Sequence, residues 1–329
     1  MPVPLPSVLA VVCARISADD PLACLDLREV AEPAPAEGWE VVEVRAAALN
    51  HHDLWSLKGV GLREDDLPVI LGTDAAGVTA DGREVVVHAV LGSAGPGEDE
   101  TLAADFHLFS ERGVPGTLAQ RVAVPSRNLV PKPAALSFAE AACLPTAYLT
   151  AYRMLFDRAG LTPGQSVLVQ GAGGGVATAA VLLGRAAGLS VFVTSRSEEK
   201  RERALALGAA GAVEAGGRLP VRVDAVLETV GKATWDHSLK SLRPGGVIVV
   251  AGATSGFDPS ADLARLFWRQ LSVVGSSMGT IAELRRLCAF LERTGTRPLV
   301  DSEHALADAH GAFARLASGA EFGKVVVVP

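Results

Sequence analysis

What most constrains this chain is a run of small residues set between a strand and a helix. Ser166 to Gln170 is a short apolar strand, Gly171-Ala-Gly-Gly-Gly follows with no spacer, and Val176 to Ala187 takes up helical spacing. Within the run, Ala172, Gly174 and Ala177 stand where a Gly-x-Gly-x-x-Gly fingerprint carries its three small residues. Small residues let the backbone turn tightly and approach a pyrophosphate, and the helix N-terminus beyond them offers free N–H groups and a positive dipole end. Ala177 lets the helix pack closely on the sheet. A glycine cluster alone marks only a turn. The order strand, loop, helix, second strand makes Ala172, Gly173, Gly174, Gly175 and Val176 the expected phosphate cradle of a dinucleotide.

The alternation continues. Ser190 to Thr194 is a strand, Glu198 to Leu207 a helix stopped by Gly208, Ala225 to Glu228 a strand, Trp235 to Leu242 a helix closed by Arg243-Pro-Gly-Gly, and Val247 to Ala251 a strand. Short apolar strands alternating with helices imply a parallel sheet covered on both faces. The first third has a different texture: Val8 to Ile16, Trp39 to Ala47 and Glu84 to Val90 are β-type stretches. A Gly/Pro/Glu-rich loop, Gly92 to Gly116, is long enough to be a lid or an insertion. Phe138 to Phe156 has helical spacing, and Pro145 is expected to split it into two short helices. Ile281 to Pro329 offers two amphipathic helices and a terminal strand, Lys324 to Val328, that returns to the N-terminal domain.

The end of the second strand bears on which dinucleotide is bound. A version that holds unphosphorylated ribose hydroxyls places an Asp or Glu there. Here the chain reads Thr194-Ser-Arg-Ser-Glu-Glu-Lys200, so Ser195 and Arg196 stand at that place and Lys200 follows one helical turn later. A carboxylate would repel a 2′-phosphate, whereas Arg, Lys and Ser donate to it, each charge-assisted bond being worth roughly 1.5–3 kcal/mol. NADP(H) is therefore the expected cofactor. In the competing reading Arg196 and Lys200 are solvated helix-start residues and Glu198 or Glu199 takes the ribose.

Of the 329 residues, 49% are hydrophobic and 20% charged, and the formal net charge of -7 is spread along the chain. That balance argues against a nucleic-acid or anionic-membrane surface. No apolar run approaches the ~20 residues of a membrane span, and the N-terminus lacks the basic stretch of a signal peptide. The four cysteines are scattered with no Cys-x-x-Cys, so neither a zinc knuckle nor a disulfide framework is indicated, and a cytoplasmic location is expected.

Several segments in order resemble the medium-chain dehydrogenase/reductase superfamily, and within it the zinc-free quinone oxidoreductase-like branch. They are AAALNHHDLWSLKG (46–59), LPVILGTDAAGV (67–78), LPTAYLTAYRML (144–155), the glycine loop, LRPGGVIVVAGATSG (242–256) and FGKVVVV (322–328). The resemblance implies an α/β chain with a GroES-like, partly open β-barrel catalytic domain (1–140 and 281–329). It also implies a Rossmann doubly wound parallel-sheet cofactor domain (141–280). It makes Gly252, Ala253 and Thr254 a backbone shelf beside the nicotinamide, puts Ser276 and Ser277 near the same ring, and lets Lys324 reach the cofactor or serve as an ordinary strand lysine. Leu271 to Val274 would pair across a two-fold axis, giving a homodimer. Two departures stand out: Val78-Thr-Ala-Asp-Gly-Arg-Glu-Val is short, implying a tightened turn, and the front half of the Gly92–Gly116 loop is idiosyncratic.

Zinc enzymes of the superfamily need thiolate and imidazole ligands. The matching positions here carry Asn50, Thr73 and Thr146, with Asp74 at the neighbouring acid, so no catalytic zinc is expected; an N/O set from His51, His52, Asp53 and Asp74 is the remaining metal candidate. Without zinc, the resemblance implies hydride transfer from NADPH to a conjugated carbonyl: a quinone, or an α,β-unsaturated ketone or aldehyde. The developing oxyanion needs hydrogen-bond donors. The candidates are Asn50, His51 and His52, and a histidine can also protonate the product. Trp55 stands where the resembling quinone reductases carry Tyr, exchanging a hydroxyl for a stacking surface. Tyr148 and Thr146 are candidates at the substrate and cofactor, against core packing and helix capping. Two alternatives stay open: an enoyl reductase for a thioester- or carrier-bound intermediate, and a catalytically silent NADPH-binding sensor or structural protein.

Overall fold

The computed structural model describes residues 7–95 and 97–329; the first six residues and Pro96 of the long loop lie outside them. The chain forms two compact units, Met1–Thr146 with Thr280–Pro329, and Ala147–Gly279.

The second unit is a six-stranded, all-parallel sheet. Its strands lie in the order Gly211–Val213, Ser190–Thr194, Ser166–Val169, Val223–Glu228, Leu242–Val250 and Ser272–Gly275. Numbered along the chain this is 3-2-1-4-5-6, the doubly wound order of a dinucleotide-binding fold. Its strands read as continuous apolar runs because they are buried on both faces: Leu168, Val226 and Ile248 are fully buried and pack with Leu239 of the helix Trp235–Ser241. The helix that follows the glycine loop, Gly175–Ala186, lies close on the second strand. A Cβ on Gly184 would stand 2.5 Å from the Val191 side chain, so that glycine is a packing requirement. The helix Trp235–Ser241 closes just before Arg243-Pro-Gly-Gly as expected, and those four residues fall at an irregularity of the ladder, Leu242 pairing with Val223 and Val247 with Ala225.

The first unit is built on Trp39–Ala48. Its first half pairs with Arg121–Pro125, most of its length with Asp74–Thr79, and its end with the terminal strand Lys324–Val328. The sheet runs Leu129–Pro131, Glu84–Val87, Asp74–Thr79, Trp39–Ala48, Lys324–Val328, Val300–Ala305, and its two ends stay open. A second sheet joins Leu25–Ala31, Ser7–Cys13 and Val69–Ile70. Val42, Val87, Leu118, Phe313 and Val325 are among the side chains that fill the interior. Antiparallel strands with one end of the chain returning beside the other match the partly open barrel expected for this unit. The tightened turn is present: Thr79 N–H bonds Arg83 O and Gly82, at φ +87, closes the hairpin.

Several elements depart from expectation. Glu84 to Val90 is two strands, Glu84–Val87 and Val90–Leu91, because the Asn128 amide takes the carbonyls of His88 (2.9 Å) and Val90 (2.7 Å) in place of a ladder. The helical stretch is divided near Pro145 as expected, with Cys143 capping the first helix and Pro145 at the second position of the next segment. After Phe138–Ala142 the coil widens to a π-turn over Leu144–Tyr148, where the missing N–H costs least, and continues as Leu149–Tyr152. The strand Val300–Ala305 (VDSEHA) has no apolar alternation and was invisible in the sequence; it forms because Lys324–Val328 offers it a parallel partner. Among the described residues no helix is long and apolar enough to cross a membrane.

Candidate functional site

In the second unit the glycine loop opens at the carboxyl end of the first strand. Ala172 and Gly173 are buried and Gly174 to Val176 half-buried. Gly174 caps the helix with φ -68, and Gly171 sits at φ +94. A Cβ built on either would meet no protein atom within 4 Å, so the backbone faces open space there. Free helix N–H groups beside open space suit a pyrophosphate, and the residues present fit a dinucleotide.

The loop is held from below by a polar ladder that the sequence reading missed. Gly171 N–H donates to Thr194 Oγ1 (3.2 Å), whose hydroxyl donates to Gln170 Oε1 (2.9 Å). The Gln170 amide donates to Ser238 Oγ (2.9 Å), which donates to Glu228 Oε2 (2.6 Å). The fully buried Glu228 carboxylate also accepts the N–H groups of Val230 and Gly231. Gln170, Thr194 and Glu228 each end an apolar strand, and that placement was the available signal.

Past the second strand Ser195 is half-buried and Arg196 exposed; Lys200 is half-buried in the first turn of the helix Glu198–Leu207. Ser195 Oγ accepts Ser197 N–H (3.2 Å), and Arg201 donates to Ser195 O (2.8 Å), a second guanidinium at this corner that was not singled out. Glu198 and Glu199 are exposed on the helix. Gly252 and Ala253 are half-buried and Thr254 exposed, its N–H on Thr229 O (3.4 Å). Ser276 Oγ is buried with no partner. Tyr148 is fully buried in the π-turn and offers no side-chain surface.

In the first unit, the residues at the would-be zinc positions close on one another. Asn50 Nδ2 donates to Thr73 Oγ1 (3.2 Å) and Asp74 Oδ2 (3.0 Å), and Thr146 Oγ1 donates to Asp74 Oδ1 (2.5 Å). Lys324, 3% exposed, donates to Leu49 O (2.6 Å) and Asn50 Oδ1, with its ammonium 3.5 Å from Asp74 Oδ2. The terminal strand thus delivers Lys324 to Asp74. Burial raises the Asp74 carboxyl above its usual range, while Lys324, Asn50 and Thr146 pull it back. Two hydroxyls, an amide and an ammonium are not a zinc donor set, and these residues do not fit that metal. Among the described residues no three His, Cys, Asp or Glu side chains are grouped as a metal would need.

Asn50 also caps the helix His51–Leu57. Its N–H donates to Asp53 Oδ2 (2.7 Å), and burial pushes the Asp53 carboxyl up to about 6 against the pull of His52 and the Asn50 N–H. His51 is exposed and Trp55 half-buried on this helix. His52 turns toward the long loop, its Nε2 2.8 Å from Glu111 Oε1.

Two family matches cover most of the chain: the alcohol dehydrogenase GroES-like domain over residues 36–134 and the zinc-binding dehydrogenase domain over residues 175–293. A crotonyl-CoA carboxylase/reductase of Cereibacter sphaeroides is 29% identical, over 78% of this chain and 72% of its own. A quinone oxidoreductase of Rattus norvegicus is 28% identical, over 91% and 92%. The solved structure of an NAD-dependent alcohol dehydrogenase superposes with TM-score 0.89 at 34% identity, over 98% of this chain and 99% of that one.

Proposed function

The chain belongs to the medium-chain dehydrogenase/reductase superfamily, whose members are oxidoreductases that bind nicotinamide cofactors, and from that premise we propose that it reduces a conjugated carbonyl by zinc-independent hydride transfer from NADPH. The observation that carries this reading is the closed Asn50–Thr73–Thr146–Asp74–Lys324 cluster. A Lewis-acid route needs soft ligands with an open position, and here the corresponding side chains are committed to one another and to an ammonium. Reduction of a polarised C=C–C=O system needs no metal; it needs alignment with the nicotinamide and donors for the oxygen that gains charge. When bound, the reduced nicotinamide supplies the hydride. This chain's part is to hold the diphosphate at Ala172 to Val176, the adenosine phosphate at Ser195, Arg196 and Lys200, and the substrate oxygen near Asn50 and the 51–55 helix. The quinone oxidoreductase relative supports quinones and enones as substrates, and the crotonyl-CoA relative supports an enoyl thioester as the second reading.

A screen of NADPH oxidation with quinones, alkenals, cyclic enones and enoyl thioesters tests this. Turnover of at least one class, unaffected by chelators, is expected. Stoichiometric bound zinc, or tight NADPH binding with no oxidation by any class, overturns it.

The homodimer belongs to the same proposal. The edge strand Ser272–Gly275 has one unpaired side in the sheet order, and the same unit exposes Val273 on that strand and Phe267 (70%) and Trp268 (80%) on the helix just before it. A second copy pairing edge to edge covers both. Light scattering is expected to give a dimer that Val273→Glu converts to monomer; a monomeric parent protein refutes it.

A further inference from the structure

A polar contact, Glu111 to His52, joins the long loop to the helix His51–Leu57, and the backbone is strained on either side of Glu111. Ser110 (φ 68) and Arg112 (φ 52) are both non-glycine residues in the left-handed region, and Glu111 lies between them. Both carboxylate oxygens of Glu111 are committed: Oε2 accepts Leu108 N–H (2.9 Å), anchoring the side chain to its own loop, and Oε1 meets His52 Nε2 at 2.8 Å. The loop strand His107–Leu108 is in turn paired with Val90–Leu91. The result is a carboxylate placed on one imidazole nitrogen, with both side chains less than a fifth exposed.

The other nitrogen is the telling one. His52 Nδ1 is buried with no hydrogen-bond partner, and one helical turn away Ser56 Oγ is buried and unpartnered as well. Residues four apart share a helix face. A buried polar atom left without a partner is costly, and such groups mark a place where a ligand or water completes the bonding.

We infer that Glu111 is a positioning residue for His52: it anchors the imidazole through Nε2–H and leaves Nδ1–H for the substrate oxygen, so that His52 delivers the proton of carbonyl reduction. This rests on the reading that the chain reduces a conjugated carbonyl. As hydride from the reduced dinucleotide forms the new C–H bond, the electron pair of the C=C bond moves toward oxygen. The Nδ1–H bond breaks and an O–H bond forms, giving an enol from an enone or a hydroquinone oxygen from a quinone. The imidazolium becomes neutral imidazole and regains its proton from water. The charges facing His52 favour the cation. Burial alone would lower its pKa, but the hydrogen bond to Glu111, with Asp53 on its own helix, the Glu111 charge and Asp74 on the barrel strand, raise it. On the other side, burial raises Glu111, while the bonds from His52 and Leu108 N–H and the charges of His52 and His107 bring it below its ordinary value. Lys324 is the opposing cation, engaged by Asp74.

Two measurements test this. The imidazole Cε1–H signal of His52, followed by NMR against pH, is expected to titrate about one pH unit or more lower in Glu111→Gln than in the parent protein. Glu111→Asp is expected to restore part of that shift. With NADPH and the best acceptor, kcat is expected to fall about a hundredfold in His52→Gln, with a smaller change in KM. In Glu111→Gln the decline of kcat with rising pH is expected to begin correspondingly lower. Unchanged His52 titration in Glu111→Gln, or unchanged kcat in His52→Gln, overturns the proposal. The titration needs no substrate, so a parent protein that reduces nothing defeats the functional reading by itself and is told apart from a failure of the Glu111–His52 pair.

Discussion

The two polar centres of this protein are opposites. At the glycine loop of the second unit, side chains are satisfied below the loop through the Glu228–Ser238–Gln170–Thr194 ladder, and the backbone above it faces open space. In the first unit the side chains at the would-be metal positions are satisfied by each other and by Lys324. A binding site keeps its own groups rigid while leaving the ligand's partners free. A buried polar centre with no ligand to bind pairs its groups internally, since leaving a buried polar atom unpaired is costly. Two residues along the chain from Asn50 of that closed cluster, His52 Nδ1 is buried without a partner.

The largest effect should come from breaking the closed centre. Lys324→Met leaves the buried Asp74 without its cation, and urea unfolding should lose about 3–5 kcal/mol; a loss near zero means the ion pair is not what holds the cluster. Next, Gly174→Val places a side chain in space that holds no protein atom, so the stability loss should be no more than about 1 kcal/mol, that of replacing the N-cap glycine. Dinucleotide affinity should drop about ten- to hundredfold, the equivalent of roughly 1–3 kcal/mol of overpacking against the ligand. If stability falls and affinity does not, the open face is not the ligand's. Arg196→Ala should then reduce the NADPH-over-NADH binding ratio about tenfold, and a parent protein that prefers NADH refutes the assignment outright. The smallest effect concerns the His52–Glu111 pair. Glu111 is held below its ordinary value of 4.5, so its contribution is present above that value and lost as pH falls through the lowered one. His52 is held above 6.5, so its contribution is present below 6.5 and lost as pH rises through the raised value. The pair therefore stabilises most between 4.5 and 6.5. Unfolding at pH 6 should cost His52→Gln about 1 kcal/mol, and less at pH 9.

The dinucleotide half was legible residue by residue because its determinants are local. A strand, five small residues and a helix are contiguous, and the residues after the second strand lie a fixed distance from them. The barrel was legible mainly through resemblance. Its long central strand pairs with segments some 80 and 280 residues away, and a polar strand such as Val300–Ala305 carries no pattern of its own. The same holds for side chains. Asn50, Thr73 and Thr146 could be named from matching segments, but that Lys324, 274 residues from Asn50, would neutralise their acid was a fact of register between the two ends of the chain.

By itself, then, the sequence determined the parallel-sheet unit, the glycine loop between its first strand and helix, and the absence of soft ligands at three positions, because each depends on residue type and near neighbours. Tertiary structure alone decided what filled those positions and which histidine met the long loop. His51 and His52 are adjacent and chemically identical, and only the helix phase leaves one exposed and turns the other to Glu111 across a loop 59 residues away. Hydrogen bonds and ion pairs between distant segments depend on orientation to within an ångström, and no local pattern encodes that.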